Sequence, residues 1–317
     1  MMRRSLFILF ALLIVLSTSA CGSKPAAPQS ADNAAPILVV TIPTGTPTAP
    51  FAVPTDLPQT PTPSHSDFET FPAGDFRNSS EITNAWLPLK PGMQYVYQGE
   101  TEQNGVLVEH RLTMTVTDLT KTINGVRTRV TFDQDFKADS MVESELAFYA
   151  QDTTGNIWRM GEHPEEYENG AFVEAPTWFA GVKGSYAGIE MLGNPRVGSP
   201  GYSQGWAPSV EFTDRAQVFQ TGQEVCVPAG CYKDVLIIDE TSSAEPGAHQ
   251  LKLFVKDVGN VKVDWRGTDQ TQEILELASV TELTPEQLAA VRQHALDEEQ
   301  HAYQVSPDVD GQTPPMQ

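Results

Sequence analysis

From Phe68 onward, apolar and polar residues alternate along most of the chain with a period of two rather than a helical period. In VLVEHRLTMTVTDL, Leu112, Met114 and Val116 fall on one side and Thr113, Thr115 and Thr117 on the other. That is the pattern of a half-buried strand. MQYVYQGETEQ precedes this run across Asn104-Gly105, the dipeptide that best supplies positive φ at both positions of a two-residue hairpin turn. Asn124-Gly125 leads on into VRTRVTF, and then come VESELAFYAQ, a turn at DTTGN, and IWRMGE. Connections this short join antiparallel neighbours, so the pattern predicts a mainly β, antiparallel meander and not alternating strands and helices.

Between about Glu162 and Ser209 the alternation gives way to Gly, Pro and aromatic residues, and the segment reads as irregular. Strands resume with VEFTDRAQVFQ, EVCV, CYKDVLIIDET, HQLKLFVKD, VGNVKVDWRG and QEILELASVTEL. A C-terminal α-helix follows over 284–303. Thr284 is its cap, Pro285 takes the first-turn position and Gln287 completes a capping box. Leu288, Val291, Ala295 and Leu296 form its apolar stripe. The β domain thus spans 67–283, and the tail 304–317 reads as disordered.

The first 66 residues have a different character. Arg3 and Arg4 precede the apolar run Leu6 to Leu16, which is too short to span a bilayer, and small residues then lead to Cys21. Residues 1–21 resemble a bacterial lipoprotein signal, in which the cysteine is acylated and becomes the mature N-terminus. Thr18 stands where that pattern usually has Leu, and an ordinary signal peptide cut near Ala20 is the alternative. Residues 22–66, with TIPTGTPTAP and TDLPQTPTPS, hold too few core-forming side chains to fold and read as a disordered stalk. The expected address is the cell envelope, lipid-anchored on the outer side of the cytoplasmic membrane or on the outer membrane.

WLPLKPGMQYVYQGE, FYAQDTTGNIWRMGE, VCVPAGCYKDVLIIDET and VKDVGNVKVDW occur in that order. Together they resemble a family of exported bacterial proteins, often lipoproteins, of no established biochemical function. The resemblance covers most of residues 76–283. It implies a large curved antiparallel sheet, clam-like or half-barrel, and brings no catalytic or binding residues with it.

The net charge of −21, from 20 Lys and Arg against 41 Asp and Glu, repels phosphate backbones and argues against nucleic acid as a partner. With Cys21 assigned to the lipid, Cys226 and Cys231 in CVPAGC remain. Outside the cytoplasm they should form a disulfide across a turn. A redox dithiol or half a metal site would need companion Cys or His residues that the sequence does not supply.

Gly201 to Gly205 reads GYSQG and matches the nucleophile elbow, which requires a strand before the serine and a helix after it. GNPRVGSP cannot be a central strand, and Pro208 prevents a helix. Ser203 is therefore read as a loop serine, and no catalytic residue is assigned. Glu162 to Glu168 is the densest set of potential metal ligands. Asp133, Asp135 and Asp139 form a second set, and His294, Glu298 and His301 share a helix face. Solvated acids account for each as well, so neither metal nor cofactor is assigned. Aromatic area and polar handles coincide at Trp158, His163, Glu165, Trp178, Tyr202 and Trp206. These are the candidate residues for an unknown small ligand or envelope partner of a non-catalytic binding module. A secreted hydrolase with its site in 158–209 is the alternative. Metabolic labelling with a palmitate analogue should mark the wild type and not Cys21→Ser; equal labelling of both would refute the anchor.

Overall fold

The structure is a computed structural model and describes residues 68–317. The expected signal peptide, Cys21 and the stalk lie outside the described residues. What is described is one large antiparallel sheet, not closed into a barrel, with a single long helix at its C-terminal end. An N-terminal meander comprises β1 (Met93–Gln103), β2 (Val106–Ile123), β3 (Val126–Lys137), β4 (Ser140–Gln151) and β5 (Ile157–Glu168). Short strands follow: β6 (Ala171–Glu174), β7 (Trp178–Phe179), β8 (Tyr186–Met191), β9 (Tyr202–Ser203) and β10 (Gly205–Trp206). A second meander comprises β11 (Asp214–Val227), β12 (Gly230–Ser242), β13 (Ala248–Val255), β14 (Gly259–Gly267) and β15 (Ile274–Glu282).

The two meanders are seamed where β1 pairs with β15, from Met93 opposite Glu282 to Glu100 opposite Ile274. The order across the sheet is β10-β8-β5-β4-β3-β2-β1-β15-β14-β13-β12-β11-β9. Its two ends, β9 and β10, are consecutive in the chain and separated by Gln204 alone. The sheet therefore curls until its edges meet through a covalent corner rather than a ladder.

The turn chemistry of the sequence is realised. Asn104 and Gly105 have φ of 55° and 80°, and Asn124 and Gly125 have 48° and 77°, the geometry that matches strand twist in a tight hairpin. Asn169-Gly170 makes the same turn between β5 and β6. Cys226 and Cys231 sit directly opposite each other in the β11–β12 hairpin and are bonded. The segment Glu162 to Glu168, expected to be irregular, is instead the continuation of β5. Pro164, which has no N–H to give, falls between the short ladder to β7 and the ladder to β6, so no bond is lost there.

Helix α1 (Pro285–Val305) has the expected cap, with the Thr284 and Gln287 side chains each bonding the other's backbone N–H. Its buried face is not the expected apolar stripe. It comprises Ala295, Glu298, Glu299 and Ala302, whereas Leu288, Val291 and Leu296 are half-buried. The surface it meets, on β2 and β4, offers polar partners. The fully buried Lys121 ammonium lies 2.6 Å from Glu299 Oε1 and donates to Pro314 O at 3.1 Å and Tyr303 Oη at 3.3 Å.

The tail expected to be disordered is also ordered. Gln317 and Thr120 exchange both backbone hydrogen bonds, and Met316 N donates to Glu299. Its partners Thr120 and Lys121 lie almost two hundred residues upstream, so local composition carried no trace of them. Lys121→Met should lower the unfolding free energy by about 3 kcal/mol, because Glu299 is left buried without its cation, while Lys121→Met with Glu299→Leu should recover most of the loss. Urea unfolding checks this, and a single-variant loss under about 1 kcal/mol would show that the pair is not a clamp.

Candidate functional site

In a regular strand, residues three apart point to opposite faces. On β5 a bulge at Met160 breaks that parity, since Phe148 lies opposite Gly161 and Tyr149 opposite Arg159. Arg159 and Glu162 consequently share the inner face of the curl and form an ion pair at 2.7 Å. Arg159 also binds Glu190 of β8, through Nε at 3.0 Å and Nη2 at 2.9 Å. The rings of Tyr149 and Phe212 flank the guanidinium, with centroids at 5.4 and 5.6 Å. Glu162 accepts a further hydrogen bond from Trp178 Nε1 at 2.9 Å. Burial opposes the charge on Arg159, but Glu190 foremost holds it protonated. Burial likewise favours neutral Glu190, and Arg159 reverses this and keeps its pKa low.

The second meander brings its own charges to the same face. Lys252 pairs with Glu240 at 2.6 Å, and Glu240 accepts from Gln204 Nε2 at 2.7 Å. Asp133 lies opposite Glu145 in the β3–β4 ladder, and burial raises its pKa to about 8. His110 lies between Asp135 at 2.6 Å and Glu273 at 3.3 Å. The sequence offers Asp133, Asp135 and Asp139 as a second acidic run, either metal ligands or solvated acids. The structure buries Asp133, half-buries Asp135 and leaves only Asp139 exposed, in a turn.

Ser203 lies in the covalent corner. It pairs with Arg215 of β11, and Gly205 pairs with Ala187 of β8. A Cβ on Gly188 would fall 2.2 Å from Gly205 N, and one on Gly205 would fall 2.6 Å from the Phe212 ring, so glycine at both positions lets the two edges approach. The serine hydroxyl is fully buried. It donates to Gly205 O at 3.0 Å and accepts from Gly205 N, while Ser203 N donates to Glu69 Oε1. The hydrogen bonds of His110, His163, His249 and His301 all go elsewhere. The motif is a structural corner, and among the described residues no histidine bonds its hydroxyl.

The candidate aromatic and polar residues separate into three places. Trp178 and Tyr202 belong to the inner face, and half-buried Trp206 lies at the corner opposite Tyr186. Trp158 lies on the other face, donating to Asp152 at 2.8 Å and edge-on to Phe71 and Phe76. An open pocket of about 500 Å³ beside the corner is lined by Glu69, Asn156, Ile189, Asn194 and Tyr202 among others. His163 and Glu165 lie on the outer face beneath α1. Sequence reading missed Arg159, Glu162, Glu190, Lys252 and Glu240 as a group. The available signal was charge inside otherwise apolar strands, as in IWRMGE.

Under the helix, His163 Nδ1 is 2.7 Å from Thr177 Oγ1 and 3.3 Å from Asp310, and Nε2 is 3.5 Å from Glu165. Glu165 also binds His301 at 2.6 Å and accepts from the Tyr167 hydroxyl. Ser144 donates to Glu298, while His294 is exposed and stands apart from this cluster. Burial alone would lower the pKa of His163; Asp310 and Glu165 outweigh it and raise the value to about 9. Burial raises Glu298 to about 8 against the Ser144 bond and the nearby His163 charge. Glu165 is held low, the bonds from His163, Tyr167 and His301 overcoming its burial.

For His163 and Glu298 the fold favours the protonated form. The contribution of His163 is complete below 6.5 and lost as pH rises to about 9; that of Glu298 is complete below 4.5 and lost by about 8. Glu165 acts in the opposite sense, its contribution being lost as pH falls below its ordinary value of 4.5. Urea midpoints should therefore fall between pH 6 and pH 9, and Glu298→Gln should flatten that slope. A midpoint that rises over this range would contradict the assignment.

No protein-family model and no curated protein matches the chain. Two solved structures are similar to it. One is a protein from Bacteroides fragilis described as exported and of YmcC-like fold, at 13% identity and a TM-score of 0.36. The other is a protein from Parabacteroides distasonis described as a lipoprotein, at 12% identity and a TM-score of 0.34. Each overlap covers 63% of this chain and 100% of the other.

Proposed function

We propose that this chain is a membrane-tethered extracytoplasmic lipoprotein whose β domain is a non-catalytic binding module of the cell envelope. The tether rests on the order of basic head, apolar run, small residues and Cys21, followed by the Pro/Thr-rich stretch. The binding reading rests on one observation: the inner face of the curled sheet carries charged and aromatic side chains held in place by the Arg159 and Lys252 pairs. Such a face presents preorganised polar groups against aromatic walls, the arrangement by which small-molecule sites orient their ligands. The non-catalytic reading is supported by Ser203, whose hydroxyl, among the described residues, bonds Gly205 of its own corner.

Within the candidate set this reading favours Trp178 and Tyr202 as ligand-facing. Trp158, His163 and Glu165 become structural. A thermal-shift screen of the full-length protein against metals, sugars, lipids and small metabolites should find a stabilising class, because a ligand of the folded state raises its melting temperature. Trp178→Phe or Tyr202→Phe should diminish that shift, and Trp158→Phe should not. Turnover of a generic ester or glycoside that is lost in Ser203→Ala or Glu165→Gln would make the protein a hydrolase instead.

A further inference from the structure

The chemistry of the ligand follows from the charges of the inner face, if that face is the binding surface proposed above. Arg159 is engaged by Glu162 and Glu190, and Lys252 by Glu240. Among the described residues Asp133 feels the charge of Arg159 but is ion-paired with neither cation. It is 3% exposed and its Oδ1 accepts no hydrogen bond. Acids therefore outnumber bases on this face.

A separate observation comes from β9. Tyr202 lies opposite Ala216, and Ala216 lies opposite Glu240, so the phenol belongs to the same cross-strand row and the same face as Glu240. Two residues further on, Gln204 reaches Glu240 directly, which fixes that face as the inner one. The Tyr202 side chain is 4% exposed and its hydroxyl has no hydrogen-bond partner, with Glu190 and Glu240 the charges that act on it. A buried polar group without a partner is costly, and Asp133 and Tyr202 are two such groups on this face.

We propose that the inner face binds an organic cation, a small molecule bearing ammonium or guanidinium groups, through the Asp133 carboxylate and the Tyr202 hydroxyl. An N–H-rich cation supplies the donor that both oxygens lack, and its charge is favoured by the acids Asp133, Glu190 and Glu240 around it. An anion would be repelled by the same acids. A bare metal ion fits less well, since among the described residues no three ligating side chains converge on one point. Burial raises the pKa of Asp133 to about 8 against the nearby charge of Arg159, so a bound cation makes it release a proton near neutral pH.

The test uses the full-length protein and cadaverine, with neutral pentanediol and the dicarboxylate glutarate as isosteres, in isothermal titration at low salt. Cadaverine should bind, the other two should not, and the heat should change with the ionisation enthalpy of the buffer as Asp133 gives up its proton. Asp133→Asn and Tyr202→Phe should each weaken binding about tenfold, the value of one charge-assisted hydrogen bond. Asp239→Asn, which alters an acid paired with His249 and Arg266 on the opposite face, should leave affinity unchanged. Equal loss in all three variants, or none in the first two, would overturn the assignment. Binding of pentanediol or glutarate alone, sensitive to Tyr202→Phe, would refute the cation while leaving the inner-face reading intact. Silence from all three probes would refute both.

Discussion

The guanidinium of Arg159 cannot be buried alone. Desolvating an ion costs several kcal/mol, and only close, well-oriented counter-charges offset it. Here the counter-charges are Glu162, brought to the same face by the bulge at Met160, and Glu190 on the neighbouring strand β8. Satisfying one cation thus requires a broken strand parity, a β8 laid against β5, and Trp178 turned inward to complete the hydrogen bonding of Glu162. Planar, five-donor arginine suits this role in a way that lysine does not.

From that constraint the curl follows. With β8 fixed on β5, the chain must cross to β11 within the corner Tyr202 to Trp206, and Gly188 and Gly205 leave the space for it. The second meander then faces the first, and Lys252 comes within the field of Glu190. Each half of the sheet supplies charges that the other half helps to enclose, so the polar interior exists only in the assembled domain.

What was legible in the sequence is what local geometry determines. Asn104-Gly105 and Asn124-Gly125 specify their turns because few other residues accept that φ. Thr284 and Gln287 specify a helix start through their own side chains, and Cys226 and Cys231 need only the hairpin between them. The antiparallel class followed from these together. What was not legible depends on distant partners. The tail is ordered by Thr120 and Lys121, the helix is docked by carboxylates whose partners lie on β2 and β4, and the bulge hides the common face of Arg159 and Glu162 from any period-two count. GYSQG misleads for a related reason. Two glycines around a serine satisfy a steric demand for close packing as readily as a chemical demand for a nucleophile.

The corner has a mechanical consequence. The first described residues attach there, Phe68 stacking on Tyr186 with ring centroids 3.9 Å apart and Glu69 accepting from Ser203 N. The chain that precedes residue 68 is therefore joined to the domain at the place where the two edges of the sheet meet. Tension along that chain is delivered first to Phe68 and Glu69, and through them to strands held by only two residue pairs on each side. The long ladders of the meanders are loaded last. A pull from the N-terminal side would open the curl at its junction before it unravelled any strand of the sheet.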